Sequence, residues 1–141
     1  MTIQCYNSVR LQTLIRPAFD TYVSAGFPSP ADDYLEIKLD LNDLVDAGNP
    51  AVFYCRMSGD SLQDIGIFDN DLIIVNKSLN PKNGDLVIAV INHELTIRTF
   101  FKKGNIISLQ PANDRFQTIT LKKGMNLTIW GVVTHVTRQL T

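Results

Sequence analysis

Short apolar runs alternate with turn-forming residues through the second half of the chain. The runs with the composition of β-strands are Val52–Met57, Leu72–Val75, Leu86–Ile91, Glu94–Phe101, Ile106–Leu109 and Leu127–Val136. The connections between them include Asn83-Gly84-Asp85, Asn92-His93 and Lys103-Gly104-Asn105. Strands at this short and regular spacing predict a mostly-β, meandering or barrel-like body. Gly131 predicts a bend or bulge in the last strand.

The N-terminal part follows a different pattern. Residues 1–25 mix charged, proline and apolar positions without a sustained period, and Ser24–Pro30 is a run of small residues and helix breakers. This pattern predicts a short extended arm over residues 1–25, joined to a body over residues 26–141. The one modest helical signal before the strands, Leu41–Ala47, is stopped by Gly48.

Composition and charge narrow the class of protein. The 141 residues include 45% hydrophobic and 19% charged side chains, which suits one globular domain. Thirteen Lys and Arg against fourteen Asp and Glu give a net charge of -1, without the basic surplus typical of DNA-binding proteins. Any link to DNA is therefore expected to run through a protein partner.

The sequence predicts neither a membrane segment nor a secretion signal. No apolar run approaches the roughly 18–20 residues that span a bilayer, and residues 1–7 lack the basic start and apolar centre of a signal peptide. We therefore expect a cytoplasmic protein. Cys5 and Cys55 match no metal spacing, so we interpret both as free thiols in a reducing cytoplasm, with a disulfide between them left open. No cofactor or metal is expected.

The segment Ser58-Gly59-Asp60-Ser61-Leu62 is the first candidate for chemistry. It follows a predicted strand and contains two turn formers, so the simplest interpretation is a turn whose side chains bond backbone groups. The functional interpretation makes Ser61 a nucleophile at the start of a loop or helical turn, where backbone N–H groups can stabilise an oxyanion. Neither His93 nor His135 suggests a catalytic base. A serine nucleophile would then need a lysine whose pKa is lowered by burial.

Several segments, taken in chain order, carry a further signal. They are Gly26–Tyr34, Asp40–Asn42, Ser58–Ser61, Asp69–Val75, Asn83–Ala89 and Trp130–Val136. Together they resemble the LexA/UmuD family of self-cleaving SOS-response proteins, in which the first segment looks like the cleavage region and the third like the nucleophile motif. The resemblance implies a single mostly-β domain of twisted sheets, in the barrel-like fold of the family's C-terminal body, with a short extended N-terminal arm.

The resemblance also implies a reaction and its partners. Ser61 would be the nucleophile of a serine/lysine dyad that cuts the chain's own arm between Ala25 and Gly26. Ala25 is small, and Gly26 lets the backbone approach Ser61 closely. By resemblance, a RecA–single-stranded DNA filament promotes cleavage, the protein is a homodimer, and the shortened product joins a UmuC-like polymerase subunit in translesion synthesis.

The chain departs from the family at the base. The family's lysine lies in a strand pattern of threonine, an aliphatic residue and lysine, which here is Thr96-Ile97-Arg98. An arginine stays protonated and cannot accept the serine proton. Lys102 faces the same side of the strand but lies about 13 Å further along it at ~3.3 Å per residue. We therefore expect cleavage to be very slow or absent, whether Arg98 is an engineered change or a natural one.

Other interpretations remain. The chain could act only as a non-catalytic dimeric regulatory subunit of a translesion polymerase, with Ser61 as a relic. A phage-type repressor would need a DNA-binding domain before the cleavage site, and residues 1–25 are too few to supply one. A signal-peptidase relative would need a membrane anchor, which the sequence does not predict. Arg98 itself could be a solvated strand residue without a role.

Overall fold

The computed structural model describes residues 2–7, 15–19, 36–112, 117–121 and 127–141, with backbone alone at 2–7, 15–19 and 36–37. The strands are β1 (Thr2–Asn7), β2 (Ile15–Phe19), β3 (Glu36–Asp40), β4 (Val52–Ser58), β5 (Leu72–Asn76), β6 (Leu86–Ile91), β7 (Glu94–Lys103), β8 (Ile106–Gln110), β9 (Ile119–Thr120) and β10 (Leu127–Thr137). Helix α1 covers Leu41–Leu44, and a short 3-10 helix covers Gln63–Ile65. The prediction of a mostly-β protein is confirmed.

Eight strands form one antiparallel sheet in the order β1-β4-β5-β10-β6-β7-β8-β9. The long strand β10 lies between β5 and β6 and joins the two halves of the sheet. Strands β2 and β3 form a separate two-stranded sheet. Within the described residues the large sheet is open, with β1 and β9 at its edges, so the expected barrel-like shape holds only loosely.

Residues 1–25 contain two strands that the sequence pattern did not predict. Strand β1 pairs with β4 over six residues, and β2 pairs with β3 over five. The backbone is extended there, as expected of the arm. Each of its strands is paired with a strand of the body.

Both faces of the central strands are buried. Successive strand residues point to opposite faces, so neighbouring residues pack in different clusters. Ile88 packs in one cluster, whose other buried members are Cys55, Met57, Leu62, Ile67, Ile73, Val75 and Ile97. Its neighbours Val87 and Ala89 pack in a second cluster with Phe100, Leu109 and Val132. The first cluster underlies β4 and the turn that follows it, and it therefore positions the candidate site.

Two local predictions are confirmed. The pairing of β10 with β6 shifts register between Ile129 and Gly131, which is the bulge expected at the glycine. Asn92 and His93 have φ of 49° and 70°, the left-handed conformation of a two-residue hairpin turn between β6 and β7. No helix among the described residues is long and apolar enough to cross a membrane.

Candidate active site at the turn after strand β4

Ser61 lies in the turn that links β4 to the short 3-10 helix, and its side chain is half-buried. The next residue, Leu62, is 5% exposed and packs in the first hydrophobic cluster. The Leu62 carbonyl accepts hydrogen bonds from the N–H groups of Ile65 and Ile67, at 3.1 and 3.2 Å. The core therefore fixes the backbone immediately after the serine.

A buried carboxylate closes the far end of this turn. Asp71 is fully buried, and its Oδ2 accepts a 2.8 Å hydrogen bond from the N–H of Phe68. Backbone hydrogen bonds on either side join this end to β4: the N–H of Met57 donates to the Asp71 carbonyl at 2.8 Å, and the N–H of Asn70 donates to the Met57 carbonyl at 2.9 Å. The segment from Ser58 to Asn70 is thus a closed loop with fixed ends.

Arg138, just after β10, binds residues at the end of that loop and within it. Its Nε and Nη2 each lie 2.7 Å from an oxygen of Asp71, and Nη2 also donates to the Gly66 carbonyl at 3.0 Å. The guanidinium stacks over the Phe68 ring, 4.2 Å from its centroid. The hydrogen bond from Arg138 holds the pKa of Asp71 below its ordinary value, against the opposing effect of burial, so the pair stays ionised.

The backbone donors around Ser61 are partly occupied. The N–H of Gly59 donates to Oδ1 of Asp69 at 2.8 Å, and the N–H of Gln63 donates to the Asp60 carbonyl at 3.3 Å. These two groups are therefore not available to an oxyanion. That N–H groups at this turn stabilise an oxyanion stays a prediction.

Arg98 lies in the middle of β7, directly opposite Val87 of β6. Val87 is fully buried, and Arg98 itself is partly buried. Burial lowers the pKa of Arg98 from its ordinary value. That value is so far above neutrality that an arginine remains a cation. The environment is the kind that would deprotonate a lysine more readily, but the residue present does not serve as a base.

The segments that carry Ser61 and Arg98 meet in the core. Leu62 follows the serine and Ile97 precedes the arginine, and both belong to the first hydrophobic cluster. Arg98, in contrast, lies opposite Val87, which packs in the second cluster. The shared cluster brings the two segments together, while the Arg98 side chain belongs to the opposite face of the sheet from Ile97. Ala25 and Gly26 lie outside the described residues.

Three other ionisable side chains that could act as bases lie at or near the surface. Lys102 is exposed, and its backbone N–H donates to Oδ1 of Asn83 at 2.6 Å. His93 is exposed at the hairpin tip, and Nδ1 of His135 lies 2.9 Å from the hydroxyl of its neighbour Thr134. No group of metal-binding side chains occurs among the described residues.

Comparison with known proteins identifies the family. The model of the Peptidase S24-like family matches residues 17–134, a span that includes both Ser61 and Arg98. The chain is 40% identical to protein ImpA of Salmonella typhimurium over 129 residues, covering 89% of this chain and 88% of ImpA. The chain belongs to the LexA/UmuD family. The resemblance on which that prediction rested is thereby confirmed.

The LexA/UmuD relatives differ in the share of their own length that this chain covers. Protein MucA of Salmonella typhimurium is 34% identical over 120 residues, covering 84% of this chain and 82% of MucA. The LexA repressor of Acetivibrio thermocellus is 41% identical over 119 residues, covering 84% of this chain but 54% of that repressor. The chain is therefore similar to ImpA and MucA over most of their length, and to the LexA repressor over about half of it.

Sequence reasoning missed two residues that support the candidate site. Asp71 belongs to the segment Asp69–Val75 that carried part of the resemblance, but its role in closing the loop was not predicted. Arg138 gave no signal, since it lies after the last predicted strand and its partner is 67 residues away in sequence. Only the pairing of β10 with β5 brings them together.

Proposed function

We propose that this chain is a UmuD-like SOS-response protein organised for self-cleavage between Ala25 and Gly26, in which Arg98 makes that cleavage very slow or absent. The observation that carries the proposal is the combination at positions 61 and 98. A serine stands at the nucleophile position and a partly buried arginine at the base position, within one family match. Self-cleaving serine peptidases are the general class that this family represents.

The proposed reaction is acyl transfer followed by hydrolysis. Oγ of Ser61 attacks the carbonyl carbon of Ala25 and gives its proton to a neutral amine at position 98. That proton passes to the amide nitrogen of Gly26 as the bond breaks, leaving residues 1–25 as an ester on Ser61. Water then attacks the ester and releases the arm with a new carboxylate. A guanidinium cannot perform the first proton transfer.

Pairing of the arm with the body gives cleavage a structural consequence. Strands β1 and β2 both precede the proposed cut, and their partners β4 and β3 both follow it. Removing residues 1–25 would leave β4 and β3 with unpaired edges, and a free edge accepts a strand from another chain. This supports a role for the shortened form as accessory subunit of an error-prone translesion polymerase with a UmuC-like subunit.

The remaining parts of this function stay predictions. They are a homodimeric state, a cytoplasmic location, and promotion of cleavage by a RecA–single-stranded DNA filament. The similarity to ImpA, SamA and MucA supports a place in SOS mutagenesis, since these relatives match over most of their length.

Intact mass spectrometry after incubation at alkaline pH tests the proposal, because a lysine loses its proton there without the filament. We expect Arg98→Lys to lose residues 1–25 while the parent protein does not. Arg56→Lys is the matched control, since Arg56 is exposed on β4 and its Nη1 bonds the Asn70 carbonyl. In the Arg98→Lys background, Ser61→Ala should abolish cleavage and the exposed Ser58→Ala should not.

The alternative is a non-catalytic dimeric regulatory subunit of a translesion polymerase. Arg98 favours it, since a partly buried cation stands at the base position. If Arg98→Lys stays uncut, this alternative is supported and Ser61 is only a turn residue. If the parent protein and Arg98→Lys are cut equally between Ala25 and Gly26, another group is the base and the argument about arginine is wrong.

A further inference from the structure

The pairing of β1 with β4 places the two cysteines of the chain opposite each other. The register runs from Thr2 opposite Ser58 to Asn7 opposite Phe53, and within it Cys5 is the direct partner of Cys55. The sequence contains two cysteines, so each stands opposite the only other one. The 49 residues that separate them in sequence gave no indication of this pairing.

Directly opposite positions of antiparallel strands suit a disulfide. The Cα atoms of such positions are about 4.5 Å apart in a non-hydrogen-bonded pair and about 5.5 Å apart in a hydrogen-bonded pair. Both values lie within the range of about 4.4–6.8 Å found in disulfides. The Cβ atoms of such positions are about 4.5–5.5 Å apart, at or beyond the upper end of the disulfide range. The bond therefore requires a small local approach of the strands, which stores strain and makes the disulfide easier to reduce.

The surroundings of Cys55 make formation of the disulfide depend on local opening of the neighbouring edge strand. Cys55 is a fully buried thiol in the first hydrophobic cluster, and burial in apolar surroundings protects a thiol from chance oxidation. Among the strands that the structure describes, its partner strand β1 lies at the edge of the sheet and pairs with β4 alone. Edge strands open locally at a lower free energy cost than central strands, so an oxidant gains access while β4 stays in the sheet.

We propose that Cys5 and Cys55 form a reversible disulfide that ties the N-terminal arm to the sheet. The oxidant is a small-molecule disulfide of the glutathione class. One cysteine thiolate attacks it, forming a mixed disulfide and releasing one small thiol. The second thiolate attacks the protein sulfur of that mixed disulfide and releases the second small thiol. Two protein thiols are oxidised and one small disulfide is reduced to two thiols.

The bond has a consequence that rests on the proposed self-cleavage. Cys5 precedes the Ala25–Gly26 bond and Cys55 follows it, so an oxidised protein stays linked to its arm after the cut. The edge of β4 would then remain covered by β1. Reduction would release the arm, which makes the oxidation state a second control over exposure of that edge.

Mass analysis of the full-length protein, incubated with oxidised glutathione, tests the pair. The native protein is oxidised first and is then alkylated in denaturant. We expect that neither cysteine is alkylated, that the protein has lost the mass of two hydrogen atoms, and that it remains monomeric. Dithiothreitol should restore both sites. A matched variant moves the thiol by one residue, with Cys5→Ser and Gln4→Cys together. Position 4 lies opposite Arg56 instead of Cys55, so this variant should form the internal disulfide at least tenfold more slowly.

Three outcomes would overturn the proposal: two unmodified thiols, a glutathione adduct that never resolves, or a disulfide-linked dimer as the main product. Equal rates for the parent protein and the shifted variant would also overturn it. This readout needs no self-cleavage, so its failure is separate from failure of the proposed function. In an Arg98→Lys background that does cleave, the oxidised protein should release its arm only after reduction.

Discussion

The close approach of β10 to β5 at Gly131 yields a prediction with a defined magnitude. A Cβ atom at Gly131 would lie 2.6 Å from Cγ1 of Val75 and 3.3 Å from the carbonyl oxygen of Asn76. The first distance is about 1 Å inside the normal carbon–carbon contact of ~3.5 Å. Val75 is fully buried and β-branched, so its χ1 is restricted and it has little room to move away.

The substitution Gly131→Ala therefore tests this contact through its effect on the free energy of unfolding. Gly131 lies outside the left-handed region of φ, so alanine fits the backbone and would by itself gain about 0.5–1 kcal/mol over glycine in a strand. Overpacking in a core costs about 1–3 kcal/mol. We expect a net loss of roughly 1–2 kcal/mol in the free energy of unfolding. For a chain of 141 residues this lowers Tm by roughly 3–8 °C.

A double-mutant cycle isolates the cause. In a Val75→Ala background the clashing Cγ1 is absent, so adding Gly131→Ala should be neutral or should stabilise by up to about 1 kcal/mol. Urea unfolding of the four proteins gives the coupling energy directly. Equal destabilisation by Gly131→Ala in both backgrounds would refute the contact with Val75, and a neutral effect in the parent would refute the close approach itself.

Two further predictions concern Asp71 and the hairpin. The Arg138 hydrogen bond lowers the folded-state pKa of Asp71 below 3.8, so its contribution to stability is complete above that pH and is lost as the pH falls through the folded value. Urea midpoints measured from about pH 5 to pH 2 should therefore fall less steeply for Asp71→Asn than for the parent, and parallel curves would contradict this. His93→Gly removes a left-handed non-glycine residue and should raise the free energy of unfolding by about 1 kcal/mol, measured at neutral pH. An unchanged value would show that His93 is unstrained there.

Most of the sheet could be predicted because its signals are local. Strands such as β6 and β7 show as apolar runs, and the turn between them shows as two adjacent residues suited to positive φ. The bulge in β10 was predictable for the same reason, since one glycine interrupts an otherwise continuous strand pattern. In each case the residues that cause the structure are next to each other in sequence.

The strands of the arm could not be predicted, because their stability comes from distant partners. Strand β2 even contains Pro17, which argues against a central strand. Among the described strands β2 pairs with β3 alone, and such an edge position tolerates a proline. Strand β1 depends on β4, which follows more than forty residues later. The opposition of Cys5 and Cys55 is a consequence of that long-range register, and so it too was invisible in the sequence.

The sequence motifs named candidate residues for the site, but they did not indicate the contacts that support it. Ser61 and Arg98 were identified by their positions in family motifs. The Asp71–Arg138 ion pair that closes the nucleophile loop depends on how β10 crosses β5, and no sequence pattern encodes that crossing. Packing of Leu62 and Ile97 in one cluster was likewise available only from the fold.

The pH dependence of self-cleavage by Arg98→Lys tests the central claim most directly. If the amine at position 98 takes the proton from Ser61, the cleavage rate should rise about tenfold per pH unit until the lysine is neutral, and then level off. The parent protein should stay uncut over the same range, and Ser61→Ala should abolish cleavage at every pH. A rate independent of pH, or a parent protein that cleaves as fast as the variant, would contradict the account.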